Sequence, residues 1–567
     1  MRNKMKQAAE AALLPGEKYM RSTENKNEKL RRNILLAAAA LLLSVGFLLV
    51  CSQSSPLYPM NNWVDVNCFF TMGRGILGGK VPYRDLYEQK GPVLYFFYAL
   101  AALVSETSYI GVFILEVISF ALFLFFAGKL AELYFKKPYV PLAVMLGAAY
   151  IVPVSSAFSH GSSVEEMNLC FLTFTLWQIF AACREKRPVS GWGAFGIGLG
   201  TAVGFWSKYT FCGFYAGAVL AIPVLYASMK LPFRKFLRSV GLFLAGFAVP
   251  TAAVAVYFGL HGALSDLIQV YFINNITLYP TESTDRLQGI FTCLKSMVYW
   301  NRKTFSHWIL AGGCWLLISA WKRWRELLTG VLAFAGLTAT TYYGLRAYDY
   351  YGLIFAAFAV LGLIAVPELL LTIGKALGRG LKHAAGRDRE MTWTERRLRE
   401  KKAADPAQKE RGAFWRSPEM RLVLTALFSA AMVFAGTFLW WNAAENTPNL
   451  YLRDLRETDS PQYRFAEIIR KEEDPKILNF GFLDGGFYLY TGTLPECRYF
   501  CNFNIEGTDM WDVQREYIRT EKPDFIVTRT YRLTQYSVEH KLYREVAEGT
   551  YPYDGRDYAY YLYQRIQ

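Results

Sequence analysis

The feature that most constrains this chain is a succession of apolar runs. The first is Asn33 to Cys51; others lie at 109–131, 138–154, 164–182, 190–206, 210–228, 239–259, 306–320, 327–344, 350–371 and 422–441. A membrane-spanning helix needs roughly 20 predominantly apolar residues. Of the 567 residues, 53% are hydrophobic and only 19% charged. A soluble chain of this length would divide its apolar residues among several cores. The runs instead predict an all-α polytopic membrane protein with about eleven transmembrane helices.

Charge sets the expected topology. The formal net charge is +15, but Lys and Arg gather at the N-terminus, in short loops and in residues 375–421. That distribution fits the positive-inside rule better than a nucleic-acid groove. With Arg31-Arg32 in the cytoplasm, the basic loops after residues 131, 182, 228 and 320 all fall on the same side. The scheme holds only if Pro92 to Val104 lies in the outer interface rather than crossing it. Residues 1–32 are then a cytoplasmic leader, followed by a retained anchor rather than a cleaved signal. Residues 33–441 form a transmembrane module with a first outside loop at 52–108 and a basic cytoplasmic connector at 375–421. Residues 442–567 form a small extracytoplasmic α/β domain. Within it a helix is expected after Ser460-Pro461, with strands at Lys476–Gly481, Asp524–Thr528 and Tyr558–Ile566.

The loop from Met60 to Tyr95 holds Asp65, Arg74, Arg84, Asp85, Glu88 and Lys90 among many aromatic residues. Charge at the edge of a bilayer is costly and usually functional. Asp65 suits a general base, against the bland reading of a solvated loop carboxylate. Lys90, in Glu-Gln-Lys-Gly-Pro, stands at a rigid turn suited to a lipid phosphate. Arg74 and Arg84 add guanidinium groups, although snorkelling to headgroups explains such residues equally well. Lys208, in Trp-Ser-Lys-Tyr-Thr, and Arg346 with Tyr348 occupy two further outer turns. There aromatic stacking on a sugar and a cation on a phosphate would both fit, as would an aromatic belt.

Asp85, Glu165 and Glu166 are candidates for a second carboxylate, the last two also for helix-capping roles. His160 with Glu165 is a weak metal candidate, since one His and one or two Glu do not define a site. A divalent ion is neither required nor excluded. Asp484-Gly-Gly reads as a turn. Cys497 and Cys501 would be able to bridge in an oxidising compartment.

Taken together these segments resemble the GT-C class of integral membrane glycosyltransferases. They are similar to the bacterial relatives of protein O-mannosyltransferases and of the lipid A aminoarabinose transferase. The resemblance rests on Asp65 soon after the first span and on the run from Gly78 to Tyr95 with its Lys90-Gly-Pro. It extends to the acidic start of the span at Glu165-Glu166 and to the Lys208-Tyr-Thr turn after a Gly-rich segment. It implies a polyprenyl-phosphate sugar as donor, with Asp65 as base and Lys90 on the donor phosphate. The acceptor would be an envelope glycan, lipid or protein at the outer face, with no nucleic-acid partner. Where some relatives pair two acids in the first loop, Val66 follows Asp65 here, so the second carboxylate must come from elsewhere. The alternative is a transporter or flippase of lipid-linked sugars. That would call for charges or broken helices at mid-membrane and paired repeats; here the ionisable residues gather at the outer ends.

Overall fold

The structure is a computed structural model and describes residues 15–278, 285–387, 418–505, 508–520, 523–536, 538, 540–553 and 555–566. Seven of the described helices are long and apolar enough to cross a bilayer. They are Lys26–Cys51, Ile110–Glu132, Val164–Glu185, Tyr209–Ser228, Phe233–Leu260, Asp349–Gly374 and Ala426–Asn446. By this measure there are fewer spans than the eleven expected. Shorter apolar helices cover Pro92–Val104, Tyr139–Ile151 and Ser306–Ile318. Pro92–Val104 has 13 residues, about 20 Å of helix, too short for a core of about 30 Å.

Helix Pro15–Cys51 runs without a break through the boundary expected at residue 32. Helix Ala356–Arg387 likewise continues into the basic connector, most of which lies outside the described residues.

Close helix crossings depend on absent side chains. Gly191–Ser207 packs on Phe233–Leu260. A Cβ at Gly198 would stand 1.9 Å from the Phe243 carbonyl oxygen, and one at Gly246 would stand 2.0 Å from that of Phe195. Small residues facing each other let two backbones touch where lipid supplies no hydrophobic drive. At the C-terminal end of Val164–Glu185, Arg184 and Arg323 converge on buried Glu326, and Arg323 also pairs with Glu368. This network ties three helices together at the end remote from Glu165.

The C-terminal part is an α/β domain. Ser460 caps helix Pro461–Ile469 by accepting from the Tyr463 amide at 3.2 Å. Its four-stranded sheet comprises β1 (Ile477–Phe480), β2 (Phe525–Arg529), β3 (Tyr543–Tyr553) and β4 (Arg556–Arg565), in the order β1-β2-β4-β3. β1 and β2 are parallel; β3 and β4 form an antiparallel hairpin. The expected strands are present, and β3 is an addition. Cys497 and Cys501 are both buried free thiols, so the bridge between them is not formed. The Sγ of Cys501 instead lies 3.8 Å from that of Cys68, in the first loop.

The domain sits on that loop. Thr71 donates to Asp484 at 2.6 Å and Arg74 to the Tyr488 carbonyl at 2.9 Å. Tyr87 donates its amide to the Arg498 carbonyl, and Arg498 returns a bond to the Tyr83 carbonyl. Residues 60–95 are therefore a layer between the helical module and the sheet domain.

Candidate active site

The layer begins at Met60-Asn-Asn-Trp. Asn61 accepts from the Trp63 amide at 3.0 Å and donates to Ser54. Asn67 donates back to the Asn61 and Trp63 carbonyls. The Trp63 ring stacks on His160 at 5.3 Å, which in turn stacks on Tyr553 at 6.0 Å. This network fixes the start of helix Val64–Leu77 and places Asp65 in its first turn. Asp65 is half-buried, and its carboxylate makes no hydrogen bond or ion pair with any described residue.

The Lys90 turn is held from several sides. Tyr83 donates to the Lys90 carbonyl at 2.6 Å. The Glu88 carboxylate accepts from the Lys90 amide at 2.8 Å and from the Tyr95 hydroxyl. Gly91 donates to the Ser207 carbonyl at 2.9 Å. A Cβ at Gly91 would stand 2.0 Å from the Trp206 carbonyl oxygen, so only glycine brings the two turns this close. Pro92 then opens the next helix, where its missing N–H costs nothing. The Lys90 ammonium lies 5.7 Å from the centre of the Phe69 ring and 3.9 Å from Glu88.

One residue beyond Ser207 stands Lys208. Its ammonium pairs with Glu165 at 2.5 Å and sits 3.5 Å from the centre of the Tyr351 ring. Lys90 and Lys208 line a single cavity of about 310 Å³. Arg286 and Arg346 also line it, with Tyr271, Tyr343 and Tyr351. Tyr351 lies within electrostatic range of Lys90, Glu165 and Asp65. Four cations and aromatic surface thus converge where the turns meet, with Glu165 paired to one of the cations; Asp65 is not among the residues that line the cavity. An anion with an apolar or sugar substituent fits such a lining. A larger cavity, about 1170 Å³, is lined mainly by apolar residues of the first and last helices and carries none of this chemistry.

Other sequence candidates fall elsewhere. Arg74 is buried against the C-terminal domain and does not line the cavity. Arg84 pairs with Asp85 and donates to the His261 carbonyl. Asp85 caps the Val81 amide, and the Arg84 hydrogen bond holds its carboxyl below the usual carboxylate range. Tyr348 receives a bond from Arg346 at 3.2 Å. His160 bonds Ser159 and is stacked between two rings. Among the described residues no group of three His, Cys, Asp or Glu is placed to hold a metal ion.

Glu166 bonds the Ser162 amide and faces Glu116, whose carboxylate accepts from Ser52 and the same amide. The sequence reading missed Glu116 and Arg286. Glu116 was detectable as a lone carboxylate inside an apolar run; Arg286 carries no comparable local signal.

Comparison with known proteins bears on this arrangement. Residues 89–258 match the family described as dolichyl-phosphate-mannose-protein mannosyltransferase. No curated protein matches the sequence at a significant level. Two crystal structures of ArnT from Cupriavidus metallidurans share the fold, one in the apo state and one bound to undecaprenyl phosphate. Their TM-scores are 0.54 and 0.52, each at 12% identity, covering 93% of this chain and 97% of theirs. The family match covers residues 89–258, and the likeness to the two structures shows a shared fold with several helices able to cross a membrane.

Proposed function

We propose that the protein transfers a sugar from a polyprenyl-phosphate donor to a cell-envelope acceptor at the outer face of the membrane. The observation that carries this reading is the meeting of Lys90 and Lys208 in one cavity. The ArnT structure with bound undecaprenyl phosphate supports the donor class. In this reading the N-terminus is cytoplasmic, and the C-terminal domain and the layer at 60–95 are extracytoplasmic.

The donor phosphate lies against Lys90 and Lys208, with Arg346 and Arg286 on the same lining. The acceptor hydroxyl attacks the anomeric carbon from the opposite side, with inversion. The bond from that carbon to the phosphate oxygen breaks, and the phosphate leaves with the electron pair. Fixed cations facing the leaving group stabilise the charge that develops there. Asp65 takes the hydroxyl proton; it has no competing hydrogen bond within the described residues. Glu165 orients Lys208 and is the second carboxylate that the first loop lacks. No step calls for a metal ion.

The test is complementation. Mass spectrometry of envelope glycans and lipid-linked sugars in a strain lacking the protein identifies the missing substituent. Wild-type protein restores it, and Asp65→Asn at equal membrane abundance does not. Restoration by Asp65→Asn would remove Asp65 as the base. An unchanged envelope in the deletion strain would remove the transferase reading.

A further inference from the structure

A third cavity, about 850 Å³, opens where the turn bearing Arg346 and Tyr348 meets the C-terminal domain. Arg346 lines both this cleft and the cation-lined cavity, so the two adjoin. The described residues that line the cleft include two arginines, Arg346 and Arg529, and no carboxylate.

Two buried donors there lack partners. The Oδ1 of Asn502 accepts from the Gly481 amide at 2.6 Å. An amide N–H only donates, so this bond fixes which end of the Asn502 side chain is the NH2 group. That Nδ2 is buried and unbonded. Arg529 is caged by Tyr558, Phe482 and Tyr553, at 4.9, 5.3 and 5.7 Å from their ring centres, with the Tyr560 hydroxyl beside it. Its Nη1 is likewise buried and unbonded. Native structures leave few such donors, and each calls for an explanation. Both residues line the cleft, and a guanidinium and an amide NH2 each donate to an oxyanion. Trp511, in the same cleft, is 38% exposed, an aromatic face on which a pyranose ring can lie.

We propose that this cleft is the acceptor subsite and that its ligand is an anionic glycan. A carboxylate or phosphate on the sugar binds Arg529 Nη1 and Asn502 Nδ2, and the adjoining ring packs on Trp511. The position of Arg346 lets the neighbouring residue of the glycan reach the donor cavity. The inference rests on the transferase reading above.

Saturation-transfer NMR on the full chain in nanodiscs tests it, with glucuronate, glucose 6-phosphate and glucose as probes. At least one anionic sugar binds tenfold or more tightly than glucose, and the tighter of the two identifies the oxyanion. Arg529→Gln erases that ratio. Asn502→Asp, which keeps the bond to Gly481 and adds a negative charge, erases it independently should Arg529→Gln fail to fold. Trp511→Ala weakens all three probes. Equal binding of charged and neutral sugars, no saturable binding, or a ratio unchanged in both polar variants would overturn the subsite. Undecaprenyl phosphate binding, followed in the same samples, separates the two claims. If it is intact and lost in Lys90→Ala while the sugars fail, only the subsite falls. If it is absent in the wild type, the transferase reading falls as well.

Discussion

The amide of Gly91 donates to the carbonyl of Ser207 at 2.9 Å, and that bond sets Lys90 and Lys208 on one cavity wall. Neither lysine is held by its own segment alone. Gly91→Ala forces a methyl group to within 2.0 Å of the Trp206 carbonyl oxygen. Overpacking of this kind costs about 1–3 kcal/mol, and the turns will separate to relieve it. A misplacement of about 1 Å can lower a rate about 100-fold. Sugar transfer in membranes should fall by that order, with protein abundance largely preserved.

The Glu165–Lys208 pair predicts non-additive stability. Both side chains are nearly fully enclosed, 1% and 8% exposed. Removing one partner leaves a buried charge and costs about 3–5 kcal/mol, whereas replacing both is often near neutral. Glu165→Gln should therefore lower the melting temperature of the detergent-solubilised protein. Adding Lys208→Met should restore it without restoring undecaprenyl phosphate binding. Additive losses in a double-mutant cycle would show that the pair is not coupled.

Asp484 makes the seam between domain and layer sensitive to pH. Burial pushes its carboxyl up from 3.8 to about 6, against the opposing effect of hydrogen bonds from Thr71, Gly486 and Asn479. The folded state therefore binds this proton more tightly than the unfolded state. Between the two values the native form carries more protons, so stability falls as pH rises through that window. Thermal melts should show the protein gaining stability from pH 7 to pH 5, by about 1 kcal/mol. Asp484→Asn should flatten that slope.

The thiols of Cys68 and Cys501, 3.8 Å apart, should cross-link when a small oxidant such as diamide is added. The expected readout is a mobility shift on non-reducing gels that Cys68→Ser and Cys501→Ser each abolish. Cys497→Ser should leave the shift in place, because Cys497 is not the partner of Cys501.

What could be read from the chain was what is written locally. Apolar runs gave the membrane class. Lys90-Gly-Pro and Trp-Ser-Lys208 gave two cationic turns, and these do share a cavity. Contacts between segments far apart in the chain were not legible. Arg74 looks like a phosphate ligand in sequence, but its partner is the Tyr488 carbonyl. Asp484-Gly-Gly is a turn, with Gly486 at φ 88°, yet the same Asp accepts a bond from Thr71 in the distant layer. Strand β3 escaped notice because its Glu, Gly and Pro residues dilute the strand signal. Glu116 was passed over inside an apolar run, where the partners that accommodate it, Ser52 and the Ser162 amide, come from two other segments.

Asn449 donates to the Cys51 and Ser159 carbonyls and accepts from Gln53. Asn62 is anchored on the Pro552 carbonyl. The first loop is thus fastened by residues far along the chain, 396 positions on for Gln53 and Asn449 and 490 for Asn62 and Pro552. Domains fold as they emerge from the ribosome, so a nascent chain displays its lysines well before the fasteners exist. A chain cut before Asn449 would leave that loop without these fasteners.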